Sequence, residues 1–124
     1  MNALLLVAAG GAIGAGARYG LTLAIGRLTL GGVPVAIVLA NVLGSFLMGM
    51  LVSALALRDG GEGWRLFAAI GLLGGFTTFS SFSLEAVLLW QRGEPTAAIG
   101  YVAASVLLSL AGLVLGLAIG RLAF

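Results

Sequence analysis

The sequence contains no cysteine and no histidine, and only 8% of its 124 residues are charged. Without these side chains it cannot form a disulfide, a thiolate or imidazole metal site, or a Ser-His-Asp triad. Its six arginines and four acidic residues give a net charge of only +2, and the arginines are scattered along the chain. These absences argue against an enzyme and against a basic face for nucleic acid.

Hydrophobic residues make up 61% of the chain and are gathered in four long runs. A helix needs about 20 apolar residues to cross the hydrocarbon core of a bilayer. The four runs cover residues 3–25, 33–57, 64–90 and 96–119. The sequence therefore predicts an all-α membrane protein with four transmembrane helices, forming one domain over residues 1–124 and surrounded by membrane lipid.

The arginines near the helix ends are divided equally between the two sides of the predicted membrane domain. Orientation normally follows an excess of positive charge in the short loops on one side. Arg58, Arg65 and Arg121 fall on the side of the N-terminus, whereas Arg18, Arg27 and Arg92 fall on the other. This balance favours insertion in both orientations and an antiparallel homodimer. A single orientation set by the translocation machinery stays open as the alternative.

Glycine is abundant, with 21 residues in 124. Gly10 and Gly14 stand in a GxxxG register, which lets two helix backbones approach closely. The same region does not fit the GxGxxG dinucleotide fingerprint, because no strand precedes it and no acidic residue follows at the required distance. We therefore expect these glycines to serve helix packing.

The third run carries an unusual polar segment, in which paired glycines, Gly74 and Gly75, precede five serines and threonines among residues 77–83. Such a composition weakens a helix and predicts a break near mid-membrane, where freed carbonyls could coordinate a hard cation. The alternative is a continuous helix whose hydroxyls bond back to the preceding turn. The density of hydroxyls favours the break.

Two aromatic residues and one amide are candidate groups for handling an anion. Phe79 and Phe82 are three residues apart, so they share a helix face, and aromatic edges are electropositive. Packing in a core or against lipid is the alternative for this pair. Asn41 lies inside an apolar span and either bonds a neighbouring helix or directs its N–H donors into a pathway.

Three hydroxyl residues form a stripe on the fourth span, and two charges remain near the spans. Tyr101, Ser105 and Ser109 are spaced four and four, so they line one helix face and could replace part of an ion's hydration shell. Separate interhelical hydrogen bonds are the alternative. Arg18 is expected to snorkel or attract anions, and Glu85 to bind a proton, pair with an arginine or reach water.

Three ordered motifs resemble those of the Fluc or CrcB family of small fluoride channels, and the resemblance spans the whole chain. They are Gly10-Gly11-x-x-Gly14-Ala15-x-x-Arg18-Tyr19, Asn41-x-x-Gly44-Ser45-Phe46-Leu47-x-Gly49 and Gly74-Gly75-Phe76-Thr77-Thr78-Phe79-Ser80-Ser81-Phe82-Ser83-x-Glu85. One departure is Ser81, where the family often has threonine. The hydroxyl is retained, so the departure concerns local packing more than function.

The resemblance implies a dual-topology antiparallel homodimer in the cell inner membrane that exports fluoride passively and lowers cytoplasmic fluoride. The broken third helices would cross at the two-fold axis and hold a structural sodium ion through the backbone carbonyls of Gly74 and Thr77. The implied ion pathway comprises Asn41, Phe79, Ser81, Phe82, Tyr101, Ser105 and Ser109, with Arg18, Thr78 and Glu85 as accessory residues.

Two rival functions stay open. A dual-topology, proton-coupled small multidrug exporter has a similar size but typically uses a glutamate in its first helix, and residues 3–25 contain no acidic residue. Proton coupling would then fall to Glu85. A non-transporting assembly subunit that uses its glycine-rich faces only for packing would show no ion flux.

Overall fold

The computed structural model describes residues 2–57 and 61–124. Arg58, which entered the comparison of charges on the two sides, lies outside the described residues. The chain is mainly helical, and its helical elements, in order, are α1 (Ala3–Ile25), α2 (Ala36–Ala56), α3 (Glu62–Trp64), a π-helix (Arg65–Leu73), α4 (Gly74–Phe76), α5 (Ser80–Gln91) and α6 (Pro95–Ala123).

Four helical spans are long and apolar enough to cross a membrane, which confirms the predicted number of spans. They are Ala3–Ile25, Ala36–Ala56, Glu62–Gln91 and Pro95–Ala123, and the third contains α3, the π-helix, α4 and α5. The helix starts follow local chemistry. Asn2 Oδ1 accepts the Leu4 N–H at 2.8 Å, and Pro95 occupies the first turn of α6, where its missing N–H does no harm.

A short hairpin that the sequence analysis did not predict precedes α2. Strands β1 (Thr29–Leu30) and β2 (Val33–Pro34) are antiparallel and joined by Gly31 and Gly32. Both glycines have positive φ, 61° and 83°, as a type I′ turn requires. Because β2 takes the first residues of the second apolar run, α2 begins at Ala36 and not at Val33.

Glycines allow the helices to pack in two close pairs. Helix α1 packs on the π-helix and α4, and α2 packs on α6. A methyl group added at Gly14 would overlap the Leu72 carbonyl, and one at Gly10 would overlap the Phe67 carbonyl. One at Gly116 would likewise overlap the Phe46 carbonyl. The predicted packing role of Gly10 and Gly14 is confirmed.

A small buried cluster joins α2, α5 and α6. Its members are Ile37, Phe82, Leu89, Ala98 and Tyr101. Tyr101 is completely buried, and its ring stacks on that of Phe82 with centroids 5.4 Å apart and an interplanar angle of 24°. This contact fixes the start of α5 against α6, within the polar segment of the third span.

Candidate functional site

Regular helix stops after Phe76 and resumes at Ser80. Between them Thr77 has an extended backbone, with φ −85° and ψ 155°, although its N–H still bonds the Leu73 carbonyl at 3.0 Å. The Thr77 hydroxyl donates to the same carbonyl, also at 3.0 Å. The chain therefore leaves the helical path after Thr77. That this interruption lies at mid-membrane depth stays a prediction.

Asn41 of α2 binds the interrupted segment, residues 77–79, through two hydrogen bonds to Thr78. Its Nδ2 donates to the Thr78 carbonyl at 2.9 Å, and its Oδ1 accepts the Thr78 N–H at 2.8 Å. The side-chain amide thus pairs with Thr78 as a neighbouring strand would, which satisfies two backbone groups that helix no longer satisfies. Of the two roles left open for Asn41, the interhelical bond is present, and its second amide hydrogen is left for the cavity described below.

Two carbonyls at the interruption lose their usual helical donors. In a continuous helix the Thr78 N–H would bond the Gly74 carbonyl, and the Ser81 N–H would bond the Thr77 carbonyl. Here the Thr78 N–H bonds Asn41, and the Ser81 N–H bonds Thr78 Oγ1 at 3.2 Å. Gly74 and Thr77 therefore present neutral carbonyl oxygens, the ligand type that a hard cation such as Na⁺ prefers.

No carboxylate cluster offers an alternative metal site in the part of the chain that the structure describes. The Gly74 and Thr77 carbonyls also belong to residues that line one cavity. Their chemistry and their diverted donors fit the sodium ligation that the family resemblance implies.

The cavity has a volume of about 510 Å³ and lies between α2, the interrupted segment and α6. Its described lining consists of Asn41, Gly44, Ser45, Met48, Gly74, Thr77, Thr78, Phe79, Phe82, Ser105, Val106, Ser109, Leu110 and Leu113. Every one of these side chains is uncharged. The structure thus brings together five of the seven predicted pathway residues, all except Ser81 and Tyr101, and both predicted sodium ligands.

Phe79 and Phe82 occupy different environments although both line the cavity. Their ring centroids are 5.4 Å apart, with an interplanar angle of 57°. Phe82 is buried at 7% exposure, whereas Phe79 is 77% exposed. Phe82 therefore serves both the packed core and the cavity wall, and Phe79 presents most of its ring outside this chain.

The predicted hydroxyl stripe of α6 is divided between the cavity and the core. Ser105 Oγ and Ser109 Oγ are buried and have no hydrogen-bond partner among the described residues. Tyr101 lies behind Phe82 and donates its hydroxyl to Glu85 Oε2 at 2.5 Å. The separate interhelical bonds expected as the alternative are absent for the two serines in the described chain, so both hydroxyls are buried and unpaired beside the cavity.

Arg18 and Ser81 lie on the α1 side of the interrupted segment, away from the cavity. Arg18 Nη1 donates to Ser81 Oγ at 3.4 Å, and Arg18 Nε donates to the Gly75 carbonyl at 3.5 Å. Both contacts are long for hydrogen bonds and correspondingly weak. The segment is therefore held between Asn41 on one side and Arg18 on the other.

Sequence reasoning missed six residues of the cavity wall, namely Gly44, Ser45, Met48, Val106, Leu110 and Leu113. Gly44 has a structural reason to be small, since a methyl group there would overlap the Thr77 Cγ2 atom. The available signal was its position three residues after Asn41, on the same helix face. Ser45 was a further polar residue within an apolar span.

Four membrane-length helical spans indicate a multi-pass membrane protein, and three of them line an uncharged cavity of the kind that an ion-handling protein needs. Residues 5–117 match the family model described as CrcB-like protein, Camphor Resistance (CrcB). The chain belongs to this CrcB family.

Three curated relatives illustrate the similarity, and each is named fluoride-specific ion channel FluC. The protein of Paracoccus denitrificans is 48% identical over 97% of this chain and 95% of its own length. That of Caulobacter vibrioides is 50% identical over 100% and 99%. That of Roseobacter denitrificans is 55% identical over 98% and 97%. The similarity therefore includes every span and the whole cavity.

Proposed function

We propose that this protein is a fluoride-selective ion channel and not an enzyme, and that fluoride leaves the cell through it passively, down its electrochemical gradient. The observation that carries the proposal is the uncharged cavity in which two buried hydroxyls have no partner among residues 2–57 and 61–124. The names of the similar proteins identify fluoride as the anion.

The cavity offers what a small, strongly hydrated anion needs when it loses water. Ser105 and Ser109 supply hydroxyl donors, Asn41 supplies its second amide hydrogen, and the rings of Phe79 and Phe82 supply electropositive edges. No fixed positive charge lines the described wall, so binding stays weak enough for the ion to leave. Ser81 and Tyr101 lie outside the cavity of the single chain and are retained in the proposed path as residues that flank it, with Arg18, Thr78 and Glu85 as accessory residues.

The functional unit in this proposal is an antiparallel homodimer with dual topology in the cell inner membrane. Three observations support a second copy. Phe79 is 77% exposed at the edge of the cavity, Gly16 and Gly20 of α1 have no contact atoms within 4 Å of an added methyl group, and three arginines on one side balance three on the other. A partner would cover these surfaces and complete the pathway.

Sodium is the proposed structural ion at the dimer axis. The Gly74 and Thr77 carbonyls of each copy would hold it, and the bound cation would supply the positive charge that satisfies them. The support lies in the diverted Thr78 and Ser81 N–H groups. The interruption of the third span then has a purpose, because a break without a ligand would leave these carbonyls unsatisfied in the membrane.

Ion efflux from liposomes tests the proposed function. Purified protein is reconstituted into vesicles loaded with potassium fluoride, and external fluoride is recorded with an electrode after valinomycin is added, without a pH gradient. We expect rapid fluoride release and no comparable release of chloride from matched vesicles. Release equal to that of protein-free vesicles would overturn the proposal.

The same preparation separates the rival functions. A proton-coupled exporter would move a cationic drug only when a pH gradient is imposed, and it would leave fluoride in place. An assembly subunit would move neither. Glu85, the residue to which proton coupling would fall, already accepts a hydrogen bond from Tyr101, so its carboxylate has a structural use without transport.

A further inference from the structure

Two hydrogen bonds at the interruption each use a donor that a continuous helix would use internally. Asn41 Oδ1 takes the Thr78 N–H at 2.8 Å, and Thr78 Oγ1 takes the Ser81 N–H at 3.2 Å. The helical acceptors of these donors would be the carbonyls of Gly74 and Thr77. The Asn41 side chain thus diverts the donor of the Gly74 carbonyl, and the Thr78 side chain diverts the donor of the Thr77 carbonyl.

We infer that Asn41 and Thr78 are positioning residues for the cation, because they hold the Thr78 and Ser81 N–H groups away from the Gly74 and Thr77 carbonyls. This inference rests on the sodium site of the proposed function. It gives Asn41 a role separate from donating to fluoride. The second bond, from Asn41 Nδ2 to the Thr78 carbonyl at 2.9 Å, fixes the amide so that Oδ1 meets the Thr78 N–H.

An N–H group and a cation compete for the same carbonyl oxygen, so keeping the N–H group away should strengthen sodium binding. If Asn41 were removed, the Thr78 N–H would need another acceptor, and the Gly74 carbonyl is the one that a helix provides. The same holds for the Ser81 N–H and the Thr77 carbonyl if Thr78 loses its hydroxyl. Residues that orient metal ligands commonly change metal affinity by about 10- to 100-fold when they are replaced.

The peptide bond between Thr77 and Thr78 contains both a proposed sodium ligand, the Thr77 carbonyl, and a diverted donor, the Thr78 N–H. Thr77–Thr78 is the one Thr-Thr pair in the sequence. Labelling threonine with ¹³C at the carbonyl and with ¹⁵N therefore gives one HNCO cross-peak, which joins the Thr77 carbonyl to the Thr78 N–H. Sodium chloride is titrated into the labelled protein against N-methyl-D-glucamine chloride at constant ionic strength. We expect the Thr77 carbonyl shift to move in a saturable manner.

Three variants and one control identify the residues responsible. In Asn41→Ala and in Thr78→Val, we expect the sodium concentration at half-maximal shift to rise at least about tenfold. Thr78→Ser keeps the hydroxyl and should retain the native sodium response. Because this variant lacks a threonine at position 78, [¹⁵N]serine is used to label the peptide bond that follows Thr77. The [¹⁵N]valine label does the same for Thr78→Val. Ser83→Ala removes a hydroxyl that bonds the Phe79 carbonyl at 2.9 Å in the same region, and it should change nothing.

The outcomes distinguish this inference from the proposed channel. A native sodium response that both Asn41→Ala and Thr78→Val preserve would overturn the positioning role. A native protein that releases fluoride but shows no sodium response would overturn it as well, while the channel function would stand. Gel filtration shows whether each variant is folded, and if Asn41→Ala is not, the comparison of Thr78→Val with Thr78→Ser decides the question.

Discussion

At the scale of single residues, the two phenylalanines of the cavity predict separable effects on transport and stability. Both Phe79→Ile and Phe82→Ile remove an aromatic edge, so both should lower fluoride efflux from liposomes. Only Phe82 stacks on the buried Tyr101 ring, and that stacking is worth about 0.5–1.5 kcal/mol. Phe82→Ile loses both of its aromatic contacts and Phe79→Ile loses only the one with Phe82, so Phe82→Ile should lower the melting temperature more.

Leu84→Ile serves as a matched control for the phenylalanine variants, because Leu84 is 61% exposed and is not part of the cavity wall. It should preserve both efflux and melting temperature. Native efflux in both phenylalanine variants would remove the rings from the pathway.

Replacing serine by alanine should lower fluoride efflux when the serine is in the cavity wall on α6, and should lower stability when it is Ser53 on α2. Ser105→Ala and Ser109→Ala lose hydroxyls that have no partner in the described chain, so stability should hardly change. Each donor lost to an anion is worth about 1.5–3 kcal/mol, so efflux should fall by about tenfold or more. The matched control is Ser53→Ala.

Ser53 is buried and donates its hydroxyl to the Gly49 or the Leu117 carbonyl, each 3.1 Å away, and it is not part of the cavity wall. Ser53→Ala should lower the free energy of unfolding by about 1 kcal/mol and leave efflux intact. The interpretation fails if Ser105→Ala behaves like Ser53→Ala. Efflux and thermal unfolding, measured on the same preparations, make the comparison.

The sequence identified most polar residues of the site but not the bonds between them. Asn41, Ser105 and Ser109 stand out because polar groups are rare in apolar spans. That Asn41 pairs with Thr78, 37 residues further on, depends on how α2 meets the third span, and no local pattern encodes this contact. The same holds for Tyr101, whose stripe position predicted the cavity but whose ring packs against Phe82.

At the scale of helices, the glycines of α1 predict where a methyl group is tolerated. A methyl at Gly14 would overlap the Leu72 carbonyl, a backbone atom that cannot move without its helix. Gly14→Ala should therefore destabilise the fold by about 1–3 kcal/mol. Gly20→Ala, on the same helix with no atom of this chain within 4 Å of the added methyl, is the control and should retain the stability of the fold of the single chain.

Thermal unfolding in detergent measures both glycine variants. Equal melting temperatures for Gly14→Ala and Gly20→Ala would contradict the close approach of α1 to the third span. The Gly20→Ala variant also tests where a second copy binds. If this variant keeps its fold but loses its dimer, Gly20 lies at the interface between copies.

Helix length and apolarity could be predicted from sequence, whereas helix type and short turns could not. The four spans appear within a few residues of their predicted bounds, because burial in lipid requires long apolar runs. The π-helix Arg65–Leu73 has no comparable signal. It lies where Gly71 faces Gly10 of α1 so closely that an added methyl would lie 3.0 Å from Gly10 Cα, a contact between distant segments.

At the scale of the whole molecule, the balance of arginines predicts equal insertion in both orientations. The chain has no cysteine, so single cysteines can be introduced freely. Gly63→Cys has open space around it, and Glu94→Cys lies in the exposed turn on the other side of the third span. In intact inner-membrane vesicles, an impermeant maleimide should label about half of each variant.

A permeant maleimide, added to a second sample, should label all of both variants and shows that each cysteine is reactive. Complete labelling at one position together with none at the other would establish a single orientation. The antiparallel dimer would then be excluded, whatever the fluoride efflux.

Added arginines should yield two variants that insert in opposite orientations and that export fluoride only when they are expressed together. Glu94→Arg gives one side four arginines against three, and Gly63→Arg gives the opposite bias, so each variant should insert mainly one way round. If the cavity is completed only by an oppositely inserted copy, cells that express either variant alone should lose most fluoride export, and cells that express both should regain it. Full export by each variant alone, with its orientation verified by maleimide labelling, would mean that one orientation suffices. The exposed Phe79 ring would then face lipid and not a partner.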